Sequence, residues 1–106
     1  MPSNEHSRLT IHEAGDALLR LVGEVDAATA PELARYLDND PRVRVIDMAQ
    51  VTFIDSSGLK VLVVANRSRD ASDMITLQPV SRTVRRVLEL AGMTEWLGVA
   101  PEPSPE

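Results

Sequence analysis

The chain has 106 residues, enough for one domain with a modest core, and its 43% apolar and 25% charged residues suit a soluble globular protein. It has no cysteine, which excludes disulfides, thiolate metal sites and cysteine nucleophiles. A net charge of −5 disfavours nonspecific nucleic-acid binding, which depends on neutralising phosphates, and 3% aromatics leaves little for base stacking. Met1 to Ser7 is polar and no stretch approaches the apolar length of a membrane span, so a cytoplasmic protein with no membrane contact is expected.

In chain order, Arg8 to Glu13 and Ala17 to Val22 read as two strands joined by the turn Ala14-Gly15-Asp16, a hairpin. Gly23-Glu24-Val25-Asp26 follows as a loop. Thr29-Ala30-Pro31-Glu32 has the pattern of a capping box with a proline in the first turn. Ala30, Leu33 and Leu37 then share one helical face, and Asn39-Asp40-Pro41 ends the helix. Val43 to Met48 reads as a strand with apolar residues on both faces, which predicts burial on both sides.

Ala49 to Asp55 leads into a second helix, Ser56 to Asp70, with Leu59, Leu62, Val63 and Asn66 on one face and Arg67 and Arg69 toward solvent. Met74 to Leu77 is the next strand. Ser81 caps a third helix whose core face is Val84, Val87, Leu88 and Ala91 and whose end is Gly92. Arg82, Arg85, Arg86 and Glu89 form its wet face. Met93 to Val99 packs back on the core, with Trp96 as a packing anchor. The tail from Ala100 to Glu106 reads as disordered, so the domain is residues 8–99 between flexible termini, 1–7 and 100–106. This order predicts an α/β fold. Its sheet is small, mixed and mostly parallel, with four to five strands, an antiparallel edge and helices mainly on one face.

The chemistry gathers at Phe53-Ile54-Asp55-Ser56-Ser57-Gly58-Leu59, where a strand gives way to a helix. Two hydroxyls there lie beside the unpaired N–H groups and positive dipole end of the helix, a setting that tolerates a phosphate. A serine at that position is more often a cap than a modification site. Asp55 suits the N-cap as well as it suits orienting an acceptor hydroxyl, and Ser57 suits a supporting hydroxyl. Gly58 allows close backbone approach or tight helix–sheet packing. Asp26 serves equally as a turn residue or on a binding surface, and Lys60, one turn into the helix, as a partner contact.

Catalysis is not expected. His6 and His12 lie at the N-terminal edge, no Ser-His-Asp arrangement is visible, and Asp55-Ser56-Ser57-Gly58 is not a nucleophile elbow. There is no Gly-rich phosphate loop with its lysine. Asp26, Asp47 and Asp55 do not make a phospho-aspartate receiver, because Asp47 falls within a strand and Lys60 within a helix. No cofactor and no metal are expected.

Val45-Ile46-Asp47-Met48, followed by Val51-Thr52-Phe53-Ile54-Asp55-Ser56-Ser57-Gly58-Leu59, resembles the STAS domain (sulfate transporter and anti-sigma factor antagonist), in particular the stand-alone bacterial anti-anti-sigma factors. Gly23-Glu24-Val25-Asp26 is similar to that family's Gly-Glu-Leu-Asp loop, with Val25 in place of leucine. The third helix through Gly92-Met93 matches as well. The resemblance covers about residues 8–99.

The resemblance implies a phosphorylation switch. Ser56, directly after Asp55, takes the place of the serine that an anti-sigma factor, itself a serine kinase, phosphorylates. The unphosphorylated protein then binds the anti-sigma factor and frees a sigma factor, and a metal-dependent serine phosphatase resets the modified form. Partner contacts are expected from Asp26, Asp55, Ser57, Gly58 and Lys60, on a monomer. The alternative on the same fold is a non-phosphorylated subunit of a membrane transporter, of the lipid-transport type, or of a stress-sensing scaffold.

Overall fold

The computed structural model describes residues 8–99; the expected flexible termini lie outside the described residues. Strands β1 (Leu9–Gly15), β2 (Leu18–Val25), β3 (Val45–Ile54) and β4 (Thr76–Val80) form one sheet in the order β1-β2-β3-β4. β1 and β2 are antiparallel, and the other two pairings are parallel. Helices α1 (Ala30–Asn39) and α2 (Ser56–Arg67) make the crossovers, and α3 (Arg82–Ala91) follows β4. Two right-handed crossovers that step the same way along a sheet must lie on the same face, and α1 and α2 do pack on one another.

The core sits between that face and the helices. Leu19, Ile46 and Leu77 are paired across three strands and are fully buried. Leu33 and Leu37 of α1, Leu62 of α2, and Val84 and Leu88 of α3 enter the same cluster. The opposite face carries the cross-strand rows Leu18, Val45, Thr76 and His12, Arg20, Asp47, all exposed or half-buried, with an Arg20 Nε to Asp47 Oδ2 ion pair at 3.2 Å. The third strand is therefore buried on one side only. Its outward Val45 imitated two-sided burial in the sequence, but no helix covers that side.

Local differences have local causes. β1 continues to Gly15, so the hairpin closes with the two-residue loop Asp16-Ala17, Ala17 taking a φ of 63°. β2 runs on through Gly23-Glu24-Val25, which is strand rather than loop. Gly23 takes φ 117°, and a Cβ there would stand 1.9 Å from the Arg8 carbonyl oxygen, so only glycine fits. β3 carries two extra residues against β2, since Arg20 faces Asp47, Val22 faces Gln50 and Glu24 faces Phe53. These bulges turn Met48, Val51 and Ile54 all inward at a spacing of three, where a regular strand allows two.

α2 ends at Arg67, and Arg69 does not face solvent. Its guanidinium donates to the carbonyls of Val43 and Asp73, closing the turn that leads to β4. Asn66 is buried, and its amide donates to the Ile75 carbonyl at 3.0 Å and accepts the Ile75 N–H at 2.8 Å. β4 starts later than Met74. α3 behaves as expected at both ends: Ser81 Oγ accepts the Val84 N–H at 3.2 Å, and Gly92 is left-handed. Ala91, however, is exposed. Leu97, fully buried, is the anchor of the final segment, while Trp96 is 40% exposed.

Candidate functional site

The ends of the parallel strands β2 and β3 meet where α1 and α2 begin. Asp55 N–H donates to the Val25 carbonyl at 3.2 Å, which holds the two strand ends together. A shallow concavity of about 540 Å³ opens there, lined by Arg8, Glu24, Asp26, Phe53 and Asp55 together with Ala27 and Ala28. The structure thus brings Asp26 and Asp55, distant in sequence, into one site.

Asp55 is the N-cap of α2. Its extended backbone aims the carboxylate at the first turn, where Oδ1 accepts the N–H of Ser57 at 2.9 Å and of Gly58 at 3.3 Å. Its own carbonyl accepts the Leu59 N–H at 3.0 Å. The three N–H groups that follow Ser56 are therefore already satisfied, so the helix end expected to cradle a phosphate is occupied by a carboxylate. Ser56 is the first helical residue and is exposed, with no side-chain hydrogen bond among the described residues. Ser57 is half-buried behind it. Gly58 is buried, and a Cβ there would meet Val25 Cγ1 at 2.7 Å and Ile54 Cγ1 at 2.8 Å. Gly58 therefore brings α2 down onto the strand ends and does not offer itself at the surface.

Asp26 organises the other half. Its Oδ1 accepts the N–H groups of Ala28 and Thr29, both at 3.0 Å, and its other oxygen pairs with Arg8. Burial acts to raise its pKa, but the N–H groups of Thr29 and Ala28 and the Arg8 guanidinium outweigh it and hold the carboxyl below its ordinary value. Thr29 does not form the expected capping box with Glu32. Its hydroxyl donates to the Glu24 carbonyl at 2.8 Å and accepts the Asp26 N–H at 2.9 Å, so Asp26 and Thr29 close the turn between them. Of the two roles expected of Asp26, the turn role is the one these bonds display, and its second oxygen faces the hollow's arginine.

Arg8 escaped the sequence reading. Its guanidinium reaches Glu24 at 3.1 Å as well as Asp26, and its carbonyl accepts the Glu24 N–H at 2.9 Å. The signal was present but faint: an arginine opening the strand that pairs with the Gly-Glu-Val-Asp strand. Phe53, 43% exposed at the rim, was read only as part of the motif. Lys60 is exposed and stands away from the concavity, on the rim of a groove of about 620 Å³ between α1 and α2 that also holds Val61 and Val64. His12 lies on the outer face of the sheet, and no cluster of three or more metal-ligating side chains occurs among the described residues. No helix among them is long and apolar enough to cross a membrane. Chemically, the site presents a bare hydroxyl beside a fixed acidic hollow.

A family model described as "Mlab, STAS domain" matches residues 8–99. The anti-sigma-B factor antagonist of Listeria monocytogenes is 32% identical over 80 residues, 71% of this chain and 70% of that protein. A solved anti-sigma factor antagonist from Mycobacterium paratuberculosis superposes with a TM-score of 0.68 at 26% identity, covering 89% of this chain and 85% of its own. The anti-sigma factor antagonist SpoIIAA, in its unphosphorylated form, shares the fold with a TM-score of 0.66 at 22% identity, covering 89% of each chain.

Proposed function

The chain belongs to the STAS domain family, and we propose that within it the protein is an anti-sigma factor antagonist controlled by phosphorylation at Ser56. Unphosphorylated, it binds an anti-sigma factor that is also a serine kinase, and so releases a sigma factor. Phosphoryl transfer to the Ser56 hydroxyl ends that binding, and a metal-dependent serine phosphatase restores it. The observation that carries this reading is the placement of Ser56: exposed, unengaged, and beside a hollow walled by Asp55, Asp26 and Glu24. The naming of the Listeria and mycobacterial relatives as anti-sigma factor antagonists supports the same role.

The physics of the switch follows from charge. A phosphoserine adds roughly −1.5 to −2 charges at neutral pH. In the free protein that group stays in water, because Ser56 is exposed. Within an interface it would be desolvated beside Asp55, and every ~1.4 kcal/mol of such penalty lowers affinity tenfold. Binding is lost while the fold is kept. On this reading the proton of the Ser56 hydroxyl leaves to a base on the kinase as the phosphoryl group arrives.

The test is quantitative capture from a lysate of the source organism with tagged wild type, Ser56→Ala and Ser56→Glu. Capture of a serine-kinase anti-sigma factor by wild type and Ser56→Ala, but not by Ser56→Glu, is the expected result. One observation favours a second reading: the matching family model is described as a STAS domain under the name Mlab and not as an anti-sigma factor antagonist. On that reading, of a transporter or scaffold subunit, all three forms capture the same transporter ATPase or scaffold equally, and Ser56 is only the first residue of a helix.

A further inference from the structure

Ser56 and Lys60 stand one turn apart on α2, and both are exposed. Residues four apart on a helix are neighbours on its surface, with Cβ atoms about 5–6 Å apart, and an anion placed N-terminal to a cation is the favoured order. Among the described residues, every other charge around the site is either negative or committed. Glu24, Asp26 and Asp55 line the hollow, and Arg8, its one cation among the described residues, is tied to Glu24 and Asp26. The N–H groups of Ser57, Gly58 and Leu59 are held by Asp55. A phosphate on Ser56 therefore finds neither a vacant helix end nor a vacant arginine. Lys60 makes no hydrogen bond or ion pair among the described residues, although it is the cation one turn away.

Resting on the phosphorylation reading above, we infer that Lys60 is the internal counter-ion of phosphorylated Ser56, forming an ion pair within the single helix α2. The pair gives modification two effects on the partner surface. It adds an anion at position 56, and it withdraws the ammonium of Lys60 from any partner carboxylate that reaches the rim of the α1–α2 groove. It also moderates repulsion between the phosphate and Asp55, so the modified domain keeps its helix start.

The test installs phosphoserine at position 56 of the full chain during translation, so no kinase is needed, and follows the phosphate by 31P NMR against pH. The pair favours the dianion and lowers the second phosphate pKa. Lys60→Gln is expected to raise that pKa by roughly 0.2–0.4 units, and Lys60→Arg to restore it. The same charge change at the exposed Arg67, near the far end of α2, should leave it in place. The difference between wild type and Lys60→Gln should shrink in 1 M salt. Equal values in wild type and Lys60→Gln overturn the pairing, as does a shift produced by Arg8→Gln in place of Lys60→Gln. Capture of a kinase that discriminates Ser56→Glu with no Lys60 effect would keep the switch and remove the pair. A Lys60-dependent phosphate in a protein whose partners ignore position 56 would keep the pair and remove the switch.

Discussion

One oxygen of Asp55 holds the first turn of α2, accepting the N–H of Ser57 at 2.9 Å and of Gly58 at 3.3 Å. The residue before the candidate phosphoserine is thus its structural support, and it sets where the Ser56 hydroxyl emerges. Asp55 and Ser56 divide the work: one makes the helix start, the other is left in solvent.

Removal of the cap should therefore be measurable apart from any effect at Ser56. Asp55→Ala is expected to lower stability by about 1 kcal/mol, within a range of roughly 0.5–2, because the cap bonds vanish. Asp55→Asn keeps a carbonyl oxygen and should lose less. Ser56→Ala, at an exposed site without a side-chain bond, should fall within about 0.5 kcal/mol of wild type. Urea denaturation of the three variants decides; equal midpoints for Asp55→Ala and wild type would refute the cap.

Gly58 offers a test of opposing effects. Alanine at a helical position gains about 1 kcal/mol of intrinsic propensity over glycine. Here, however, its Cβ would collide with Val25 and Ile54 at under 3 Å, and overpacking of this kind costs about 1–3 kcal/mol. Gly58→Ala should be net destabilising, and α2 should shift outward with altered shifts at Val25 and Ile54 by NMR. A stabilised variant would mean that helix and strand ends are less closely packed than described.

Asp26 links the site to pH. Its folded-state pKa lies below the ordinary 3.8, so the stability it contributes is present above that value and is lost as pH falls through the depressed one. Wild type should lose stability below about pH 4 more steeply than Asp26→Asn, whose amide does not titrate. Arg8→Gln should flatten the same acid limb in part, leaving the contribution of the Ala28 and Thr29 N–H groups. Parallel acid limbs in wild type and Asp26→Asn would exclude the carboxylate as a linked group.

Much of the fold was legible because short-range rules governed it. Ser81, Val84, Leu88 and Gly92 spell one capped amphipathic helix, and the structure keeps every one of those roles. The sequence left Asp55 open between an N-cap and a residue that orients the acceptor hydroxyl, and the cap is the role its bonds to Ser57 and Gly58 display. The failures came where a local signal met a distant partner. Thr29 and Glu32 have the spacing of a capping box, but the Thr29 hydroxyl is taken by the carbonyl of Glu24 and the N–H of Asp26. Arg69 looks like a solvent-facing end of a helix until the carbonyl of Val43 lies within reach. Phe53 and Val51 belong to a strand whose alternation is broken by bulges, which no pattern of period two foretells.

The sequence by itself determined the order of the elements, the buried faces of the helices, and the hydroxyl after an acidic cap at a strand–helix junction. Those follow from periodicity and capping, which act over a few residues. Only the tertiary structure decided that Asp26 shares a hollow with Asp55, that Arg8 neutralises part of it, and that β3 is buried on one side only. Each of these depends on strand order and register: β1 lies beside β2, so Arg8 meets Glu24, and β2 lies beside β3, so Val25 meets Asp55. Register is set by the burial of one whole sheet face at once, a property of the assembled core.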